Sequence, residues 1–435
     1  MDRVDIGLVG IGVLVILLVL RVPIGVGLGL VAFFGVMFVT NLNVSFGLLS
    51  NVPYEFIGDW SLSAVPMFMF MGFLATEMRL TSSLFGAMRV LLAGLPGSLA
   101  VAGVSACALF AAASGSSVAT SASMSRIAVP EMLKRGYDPG LAAGSVASAG
   151  TLGSLIPPSI LMVIFGIFAE VSIGQLFAAG VLPGILSAVM FCAMIMIRVR
   201  INPALAPDMP ERPTASERIW ALREIWPLPV LVIGVLGGIY AGIFTPTEAG
   251  AVGSGLTILV AMARRQFSMA GFWSAARQAA EGTASIFIIA VGAGLFARFM
   301  ALTGVPDYLA DLFLSQDVSP LILILQFSLL FLLLGCFIDS IGIMLLTLPI
   351  VLPLLREAGV DLIWFGILVI KLLEIGLVTP PVGLNVFVMK SSLGNLVTLN
   401  QVFRGVFWFI AADLVTLGLL IAFPEISLWL PSFMI

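Results

Sequence analysis

Two pairs of adjacent prolines interrupt long apolar segments of this chain. Pro157-Pro158 lies in the middle of segment 139–169, and Pro380-Pro381 lies in the middle of segment 361–390. Two successive prolines remove two backbone donors and clash with the preceding turn, so a helix must unwind at each pair. Unwound backbone at bilayer depth has to be buried in protein or line a wet cavity. The pairs therefore predict two broken helices, whose free carbonyl oxygens can hold a cation while the restarting half-helices face an anion.

The composition places both broken helices in a membrane protein. Sixty per cent of the 435 residues are hydrophobic and 10% are charged, which is too little charge to cover a soluble protein of this size. Apolar runs of about 20 residues, the length that crosses a bilayer, recur from end to end. The first run, 6–20, is followed by another that begins at Val22, which argues against a cleaved signal peptide. We predict an all-α polytopic membrane protein.

The same composition argues against several classes of function. The chain contains no histidine, and Cys107, Cys192 and Cys336 are isolated from one another, which disfavours zinc, haem and histidine-dependent catalytic sites. The net charge of −3 comes without a basic tail, so we expect no nucleic-acid partner. An intramembrane hydrolase using Ser114 or Ser116 would need a base that is not evident. We expect no enzymatic activity and no prosthetic group.

A fixed offset relates the two proline pairs, since 380 − 157 = 223. The same offset carries Pro130, Gly136, Asp138 and Gly153 onto residues of the same type at 353, 359, 361 and 376. A gapless series of proline, glycine and aspartate matches indicates an internal duplication. The duplication therefore indicates that the two proline pairs are repeated parts of a binding site, rather than two unrelated proline kinks.

Arginine and lysine positions set the orientation of each half, because loops rich in them stay in the cytoplasm. In the first half they fall at every second loop, which places the N-terminus outside. Each half then crosses the membrane five times, and an odd number turns the second half upside down. We predict inverted repeats at residues 1–200 and 227–435, joined by a cytoplasmic linker at 201–226.

Each half also contains a segment that we expect to enter the membrane and turn back. Segment 94–130 has basic residues on both sides and a small, polar centre, which predicts a re-entrant helical hairpin with its tip at Ser114-Gly115-Ser116-Ser117. The offset predicts a second hairpin at 317–353, in which Asp339 matches Ser116. A buried aspartate is costly unless it meets a cation or hydrogen-bond donors, so Asp339 either supports a cation site or caps the tip.

Further polar segments and charges lie between or inside the predicted spans. Segments 41–60 and 264–283 resemble amphipathic arms that lie in the membrane interface. Lys371 and Glu374 are three residues apart on one helix face, and we expect them to satisfy each other. Glu248 is expected to cap the helix that it begins. The charges whose partners the sequence does not identify are Asp413 and Arg298.

Four motifs together resemble the large membrane subunit of tripartite ATP-independent periplasmic (TRAP) transporters, within the wider ion-transporter superfamily. The motifs are Ser-Gly-Ser-Ser at 114–117, Ile-Pro-Pro-Ser at 156–159, Thr-Pro-Thr-Glu-Ala-Gly-Ala at 245–251 and Thr-Pro-Pro-Val-Gly-Leu-Asn at 379–385. The resemblance implies a transporter of the bacterial inner membrane that pairs with a small four-helix membrane subunit and a periplasmic substrate-binding protein. It also implies sodium-driven uptake of an organic acid such as a dicarboxylate, a sialic acid or a keto acid.

The resemblance further implies two sodium sites and a substrate site. The residues carried over by motif are Ser114, Gly153, Ile156 and Pro158 for the first sodium site, and Ile338, Asp339, Gly376, Thr379 and Pro381 for the second. The expected substrate contacts are Ser116, Ser117, Ser159 and Asn385, although Asn385 could instead cap the helix that restarts after the second break.

An elevator mechanism is the motion that the resemblance implies. Residues 94–170 and 317–395 would form the moving body, and 4–40 and 227–263 would belong to the static scaffold. Two other transport mechanisms stay open from the residues alone. An anion symporter of the same superfamily acting without a binding protein would show the same repeats and broken helices, and a channel is the third possibility.

Overall fold

A computed structural model describes residues 2–207, 213–314 and 319–434, and within these ranges the chain is almost entirely helical and contains no β-strand. The first half holds ten α-helices: α1 (Arg3–Val19), α2 (Ile24–Val39), α3 (Leu42–Ile57), α4 (Ala64–Glu77), α5 (Leu80–Leu91), α6 (Ser98–Ser114), α7 (Ser117–Lys134), α8 (Pro139–Leu155), α9 (Ile160–Ala169) and α10 (Ile173–Ile201).

The second half opens with a short polar helix and then follows a similar order. Its helices are α11 (Ala215–Glu224), α12 (Pro227–Val232), α13 (Gly238–Tyr240), α14 (Pro246–Ala263), α15 (Met269–Thr303), α16 (Val305–Leu314), α17 (Pro320–Gly335), α18 (Ser340–Glu357), α19 (Leu362–Val378), α20 (Leu384–Leu393), α21 (Leu399–Ala422) and α22 (Glu425–Leu428). One π-helical segment, Ile233–Gly237, joins α12 to α13 without a break.

Side-chain caps fix where the key helices begin. Asp138 accepts a hydrogen bond from the Leu141 amide at the start of α8, with Pro139 as the first helical residue. Asp361 accepts from the Ile363 and Trp364 amides at the start of α19. Glu248 and Thr245 form a reciprocal capping box at the start of α14, which confirms the capping role predicted for Glu248.

The helix boundaries recur at the sequence offset of 223. Adding 223 to the ends of α7, 117 and 134, gives 340 and 357, the ends of α18. Adding it to the ends of α8, 139 and 155, gives 362 and 378, the ends of α19. Both hairpins are therefore helix pairs with short tips, which we call the first tip (114–117) and the second tip (336–340). The first two residues of the predicted second hairpin, 317 and 318, lie outside the described residues. Opposite orientation of the halves stays a prediction.

The two halves differ between their second and third predicted spans. In the first half, α3 ends at Gly58, Asp59 caps the next turn, and the chain bends by 55° before α4. In the second half the predicted arm at 264–283 is not separate, because α15 runs unbroken for 35 residues through it and into the following span. Its Ala-rich stretch around 275–284 lacks a capping aspartate or a proline, so nothing ends the helix there.

The predicted linker is partly ordered. Helix α10 continues to Ile201, and α11 occupies 215–224, while 208–212 lie outside the described residues. Arg264 at the end of α14 forms an ion pair with Glu224 (2.6 Å) and donates a hydrogen bond to Ser83 of α5 (3.1 Å). These contacts dock α11 onto helices from both halves.

Length and composition support membrane insertion. Within the described ranges, six helices are long and apolar enough to cross a bilayer, or seven if the bent pair of α3 and α4 counts as one span. Several further helices, α2, α6 and α17 among them, are apolar but shorter. The chain is thus an all-helical, multi-pass membrane protein, and its ten crossings stay a prediction.

A fully buried charge cluster ties α19 to the last long helix of each half. Lys371 contacts Asp413 of α21 at 2.5 Å and Glu374 at 3.3 Å, and it donates a hydrogen bond to Ser187 of α10 at 3.0 Å. The contact expected between Lys371 and Glu374 is confirmed, and Lys371 is also the partner of Asp413. The partner of Arg298 is Glu55 of α3, at 2.5 Å.

Replacing Lys371 by methionine should destabilise the protein severely. The Lys371→Met variant leaves two carboxylates buried without a cation, which costs about 3–5 kcal/mol, and we expect a large fall in the thermal unfolding temperature in detergent. Arg277→Met is the matched control, since its ion pair with Glu281 is 82% and 62% exposed and should matter little. Equal unfolding temperatures for the two variants would contradict this account of the cluster.

Candidate functional site

The first tip is a compact turn built from hydroxyl and carbonyl oxygens. Gly115 adopts a left-handed conformation (φ 60°) that ends α6 and lets the chain reverse into α7. The Ser114 and Thr120 hydroxyls lie 2.7 Å apart, and Thr120 donates a hydrogen bond to the Ser116 carbonyl at 2.8 Å. Ser116 caps α7 through the Ala119 amide. Three oxygens from the tip and the first turn of α7 are thereby held together.

The first break, residues 156–159, packs directly on this tip. The Ile160 amide donates a hydrogen bond to the Gly115 carbonyl at 3.3 Å. A Cβ atom on Gly153 would lie 2.5 Å from the Ser116 carbonyl oxygen, and one on Gly115 would lie 2.8 Å from the Pro158 carbonyl oxygen. Only glycine permits backbones to approach this closely. The structure thus brings together Ser114, Gly153 and Pro158 of the predicted first sodium site.

Two members of the predicted first-half sites are placed differently. The Ile156 side chain packs against Gly184 of α10, so Ile156 can contribute to an ion site only through its backbone. Ser159 is fully buried and caps α9; its hydroxyl donates to the Ser154 carbonyl at 2.5 Å. A hydroxyl committed in this way shapes the break rather than facing a ligand.

The second tip meets its broken helix in a different register. Gly376 packs on Gly335, where an added Cβ on Gly376 would lie 2.6 Å from the Gly335 Cα. The offset would instead pair Gly376 with Asp339, as Gly153 pairs with Ser116. The second tip has four residues between its helices and the first has two, which shifts the close contact by about one turn. The residue packed against Gly376 is therefore Gly335 and not Asp339.

The other predicted members of the second sodium site lie around the second break, residues 379–383. The Thr379 hydroxyl donates to the Ile375 carbonyl at 2.6 Å, and the Val382 amide donates to the Cys336 carbonyl at 3.3 Å. Pro381 is exposed, whereas Pro157 and Pro158 in the first break are buried. The peptide bond between the prolines is cis in both breaks. The Ile338 side chain lines a separate recess beside Arg21 and the start of α2.

One cavity of about 180 Å³ lies between the two tips and draws on both halves. Ser116, Ser117 and Ser154 line it from the first half, and Asp339 and Ser340 line it from the second half. Asp339 caps α18 by accepting a hydrogen bond from the Gly342 amide at 3.0 Å. The Ser340 hydroxyl is buried without a hydrogen-bond partner in the described structure.

Four helices begin at this cavity. The first residue of each lines it: Ser117 of α7, Ile160 of α9, Ser340 of α18 and Leu384 of α20. The N-terminal end of a helix carries partial positive charge and unsatisfied amide donors, so it favours anions. The same cavity contains one carboxylate, that of Asp339. This arrangement can hold an anion against the helix ends, provided that a cation offsets the aspartate.

Two residues from outside the hairpins and broken helices also line the cavity. They are Met69 of α4 and Ile286 of α15. Asn385, predicted as a substrate contact, is fully buried and does not line the cavity, and its amide atoms have no partner in the described structure.

Sequence reasoning missed three polar residues here. Thr120, Ser154 and Ser340 belong to the site by position. Thr120 lies four residues after Ser116 and Ser340 lies 223 residues after Ser117, so helical periodicity and the repeat offset would have identified both.

Comparison with known proteins now identifies the family. Residues 11–426 match the family described as the tripartite ATP-independent periplasmic transporter, DctM component. The chain belongs to this family. It is therefore a transporter permease of the TRAP type and not an enzyme, as expected from the sequence.

Several relatives share about a third of their residues with this chain over most of its length. The C4-dicarboxylate TRAP transporter large permease of Pseudomonas aeruginosa is 36% identical over 385 residues, which cover 88% of each chain. The sialic acid TRAP transporter large permease of Vibrio cholerae is 31% identical and covers 86% of this chain and 87% of its own. The 2,3-diketo-L-gulonate permease of Escherichia coli is 33% identical, over 84% of both chains.

A solved structure shares the fold alone. The YdaH transporter of Alcanivorax borkumensis superposes with a TM-score of 0.65, covering 88% of this chain and 89% of its own, at 13% sequence identity. The TRAP permease thus shares its arrangement of helices with a transporter of very different sequence.

Adding one methyl group to Gly153 should disrupt the predicted first sodium site. The Gly153→Ala variant must push the Ser116 carbonyl away, and overpacking of about 1–3 kcal/mol corresponds to a loss in sodium affinity of about 5- to 150-fold. The measurement is the sodium concentration that gives half-maximal uptake. Gly418→Ala in α21 is the control, because nothing lies within 4 Å of its added Cβ. Unchanged sodium dependence in Gly153→Ala would contradict the proposed site.

Proposed function

We propose that this permease carries out sodium-coupled secondary active uptake of an organic acid that a periplasmic binding protein delivers. The observation that carries the proposal is the cavity at which four helices begin and a single carboxylate lies. The anionic substrate occupies the helix N-termini, and sodium ions neutralise the acidic and carbonyl oxygens around it.

The substrate is a small organic anion. Four helix ends and the hydroxyls of Ser116, Ser117 and Ser340 offer donors to a carboxylate, and the apolar walls suit a short carbon skeleton. The names of the relatives agree with this class, since they specify a C4-dicarboxylate, sialic acid and 2,3-diketo-L-gulonate.

In this proposal, sodium ions bind to oxygen atoms at the two tips. The first site offers the Ser114 hydroxyl and the Ser116 and Pro158 carbonyls, which are hard ligands of the kind that sodium prefers. In the second half Asp339 lines the substrate cavity itself. An ionised aspartate repels an organic anion, so the substrate binds well only after a cation has reached Asp339. Because sodium has to bind before the substrate, the sodium gradient can drive the uptake of the substrate.

Movement follows an elevator scheme. The two hairpins and broken helices, residues 94–170 and 317–395, form the moving body, and 4–40 and 227–263 belong to the scaffold. Met69 and Ile286 extend that scaffold, because they close the cavity from helices outside the moving body. Sliding of the tips past these two side chains would expose the cavity on alternate sides.

The proposed assembly is tripartite and lies in the bacterial inner membrane. The family description names a tripartite periplasmic transporter, and we infer two partners, a small four-helix membrane subunit and a soluble periplasmic substrate-binding protein. The binding protein then sets much of the substrate selectivity.

Reconstituted uptake tests the proposal directly. Proteoliposomes containing the chain and its small subunit should accumulate substrate only with an inward sodium gradient and the loaded binding protein. Transport of free substrate without a binding protein would instead show a symporter that acts alone. Substrate that merely equilibrates, whatever the sodium gradient, would show a channel.

Replacing Asp339 by asparagine should weaken sodium coupling. Asp339→Asn keeps a capping oxygen for α18 but removes the negative charge, so we expect half-maximal uptake to require about tenfold more sodium, as for the loss of one charged ligand worth about 1.5 kcal/mol. Asp307→Asn, at an exposed position in α16, is the matched control. A variant with normal sodium dependence would remove Asp339 from the coupling mechanism.

A cross-link across the cavity should stop transport. After replacement of Cys107, Cys192 and Cys336 by alanine, the pair Met69→Cys and Ser117→Cys joins the scaffold to the first tip. We expect uptake to fall to background on oxidation and to return on reduction, and each single variant is a control. Full uptake in the cross-linked protein would contradict the elevator scheme.

A further inference from the structure

A long groove lies outside the candidate transport site, between the last long helix of each half. It has a volume of about 610 Å³ and runs between α10 and α21. Met190, Met194 and Ile197 line one wall, and Ala411 and Val415 line the other. From Trp408 to Val415 the wall rises seven residues, about 10 Å along the helix. The walls are apolar and belong to helices long enough to cross the membrane.

A basic group lies at one end of this groove. The Arg198 guanidinium stacks on the Trp408 ring, 4.8 Å from its centroid. Its Nη1 atom is buried and has no hydrogen-bond partner among the described residues. Asp138 is close enough to attract the guanidinium, but its carboxylate already caps α8. A buried guanidinium donor without an acceptor is costly, which indicates that an acceptor is missing.

Further polar residues lie on the two helices near this end of the groove. Arg404 lies one turn before Trp408 on α21, at a spacing that places both on one helix face. Asn202 supplies an amide at the same end. The end of α10 leads into the linker, which is the side that the basic residues of the sequence assign to the cytoplasm. Basic pockets between membrane helices on that side are suited to anionic lipid head groups.

We propose that this groove binds an anionic phospholipid. The lipid phosphate accepts hydrogen bonds from the Arg198 guanidinium, which lines the groove, and one acyl chain lies along the methionine and valine wall. A guanidinium matches the phosphate geometry with two parallel donors. A free phosphate ion would satisfy the guanidinium but would leave the apolar groove uncovered, and a neutral lipid would cover the groove but bring no net charge to Arg198.

The bound lipid would stabilise the pair of helices that holds the buried charge cluster. Behind the groove, Phe191 of α10 packs edge-on against Phe409 of α21, with ring centroids 5.3 Å apart. Ser187 and Asp413, on the same two helices, contact Lys371. An acyl chain that fills the groove contacts α10 and α21 on their outer side, whereas Lys371 contacts both helices on their inner side. Lipid binding should therefore raise the thermal unfolding temperature.

Lipid titration of the full chain in mild detergent tests the proposal. The probes are phosphatidylglycerol, phosphatidylcholine with the same acyl chains, and inorganic phosphate, and binding is measured by native mass spectrometry together with the thermal unfolding temperature. We expect phosphatidylglycerol to bind and stabilise the protein, phosphatidylcholine to bind about fivefold more weakly, and inorganic phosphate to produce no stabilisation.

Three variants locate the binding site. Arg198→Gln should weaken phosphatidylglycerol binding about fivefold, whereas Arg200→Gln, an exposed arginine two residues away that does not line the groove, should bind normally. Ala411→Trp keeps the charge and fills the groove, and it should also lose the lipid. Equal binding of the two phospholipids by the wild-type chain, or equal losses in the two arginine variants, would overturn the proposal. Stabilisation by inorganic phosphate would assign Arg198 to a soluble anion instead.

Discussion

Unpaired backbone inside a membrane is the constraint on which this structure depends. Each Pro-Pro pair stops a helix inside a long apolar segment and frees carbonyl oxygens that need other partners. The protein meets this cost by packing a second interruption, a hairpin tip, against each break. In the first half, the Ile160 amide closes on the Gly115 carbonyl and Gly153 lies against the Ser116 carbonyl. The hairpin tip and the helix break stabilise each other, and together they form one wall of the cavity.

The two copies of this device are not equivalent, and their differences give each half its own role. The first break is buried, whereas the second break is exposed at Pro381 and Val382. The first tip carries Ser116 where the second carries Asp339, so the negative charge enters the cavity from one side only. The buried charge cluster is also present in one half only, because Lys371 and Glu374 correspond to the uncharged Ser148 and Thr151 in α8. The duplicated fold thus carries buried charge at these positions in the second half only.

Much of this fold could be predicted from the sequence, because its strongest signals are local. Adjacent prolines, small polar tips and capping aspartates act within a few residues, so the breaks, both hairpins and the cap at Glu248 could be located in advance. The remainder depends on distant packing. The contact between Gly335 and Gly376 requires the length of the second tip in three dimensions. The pairing of Lys371 with Asp413 joins residues 42 positions apart. The continuity of α15, by contrast, is a local feature, since its Ala-rich stretch contains no stop signal.

The geometry of Asp339 bears on how substrate and sodium could share one cavity. Asp339 caps α18 through the Gly342 amide, and the same residue lines the cavity between the tips. The helix N-termini attract an anion and the carboxylate repels it, and both effects act at the same cavity. In the proposed mechanism a cation at Asp339 changes the sign of the second effect while leaving the first intact. Coupling then needs no large rearrangement of the site, since the substrate anion and the cation each lower the cost of burying the other.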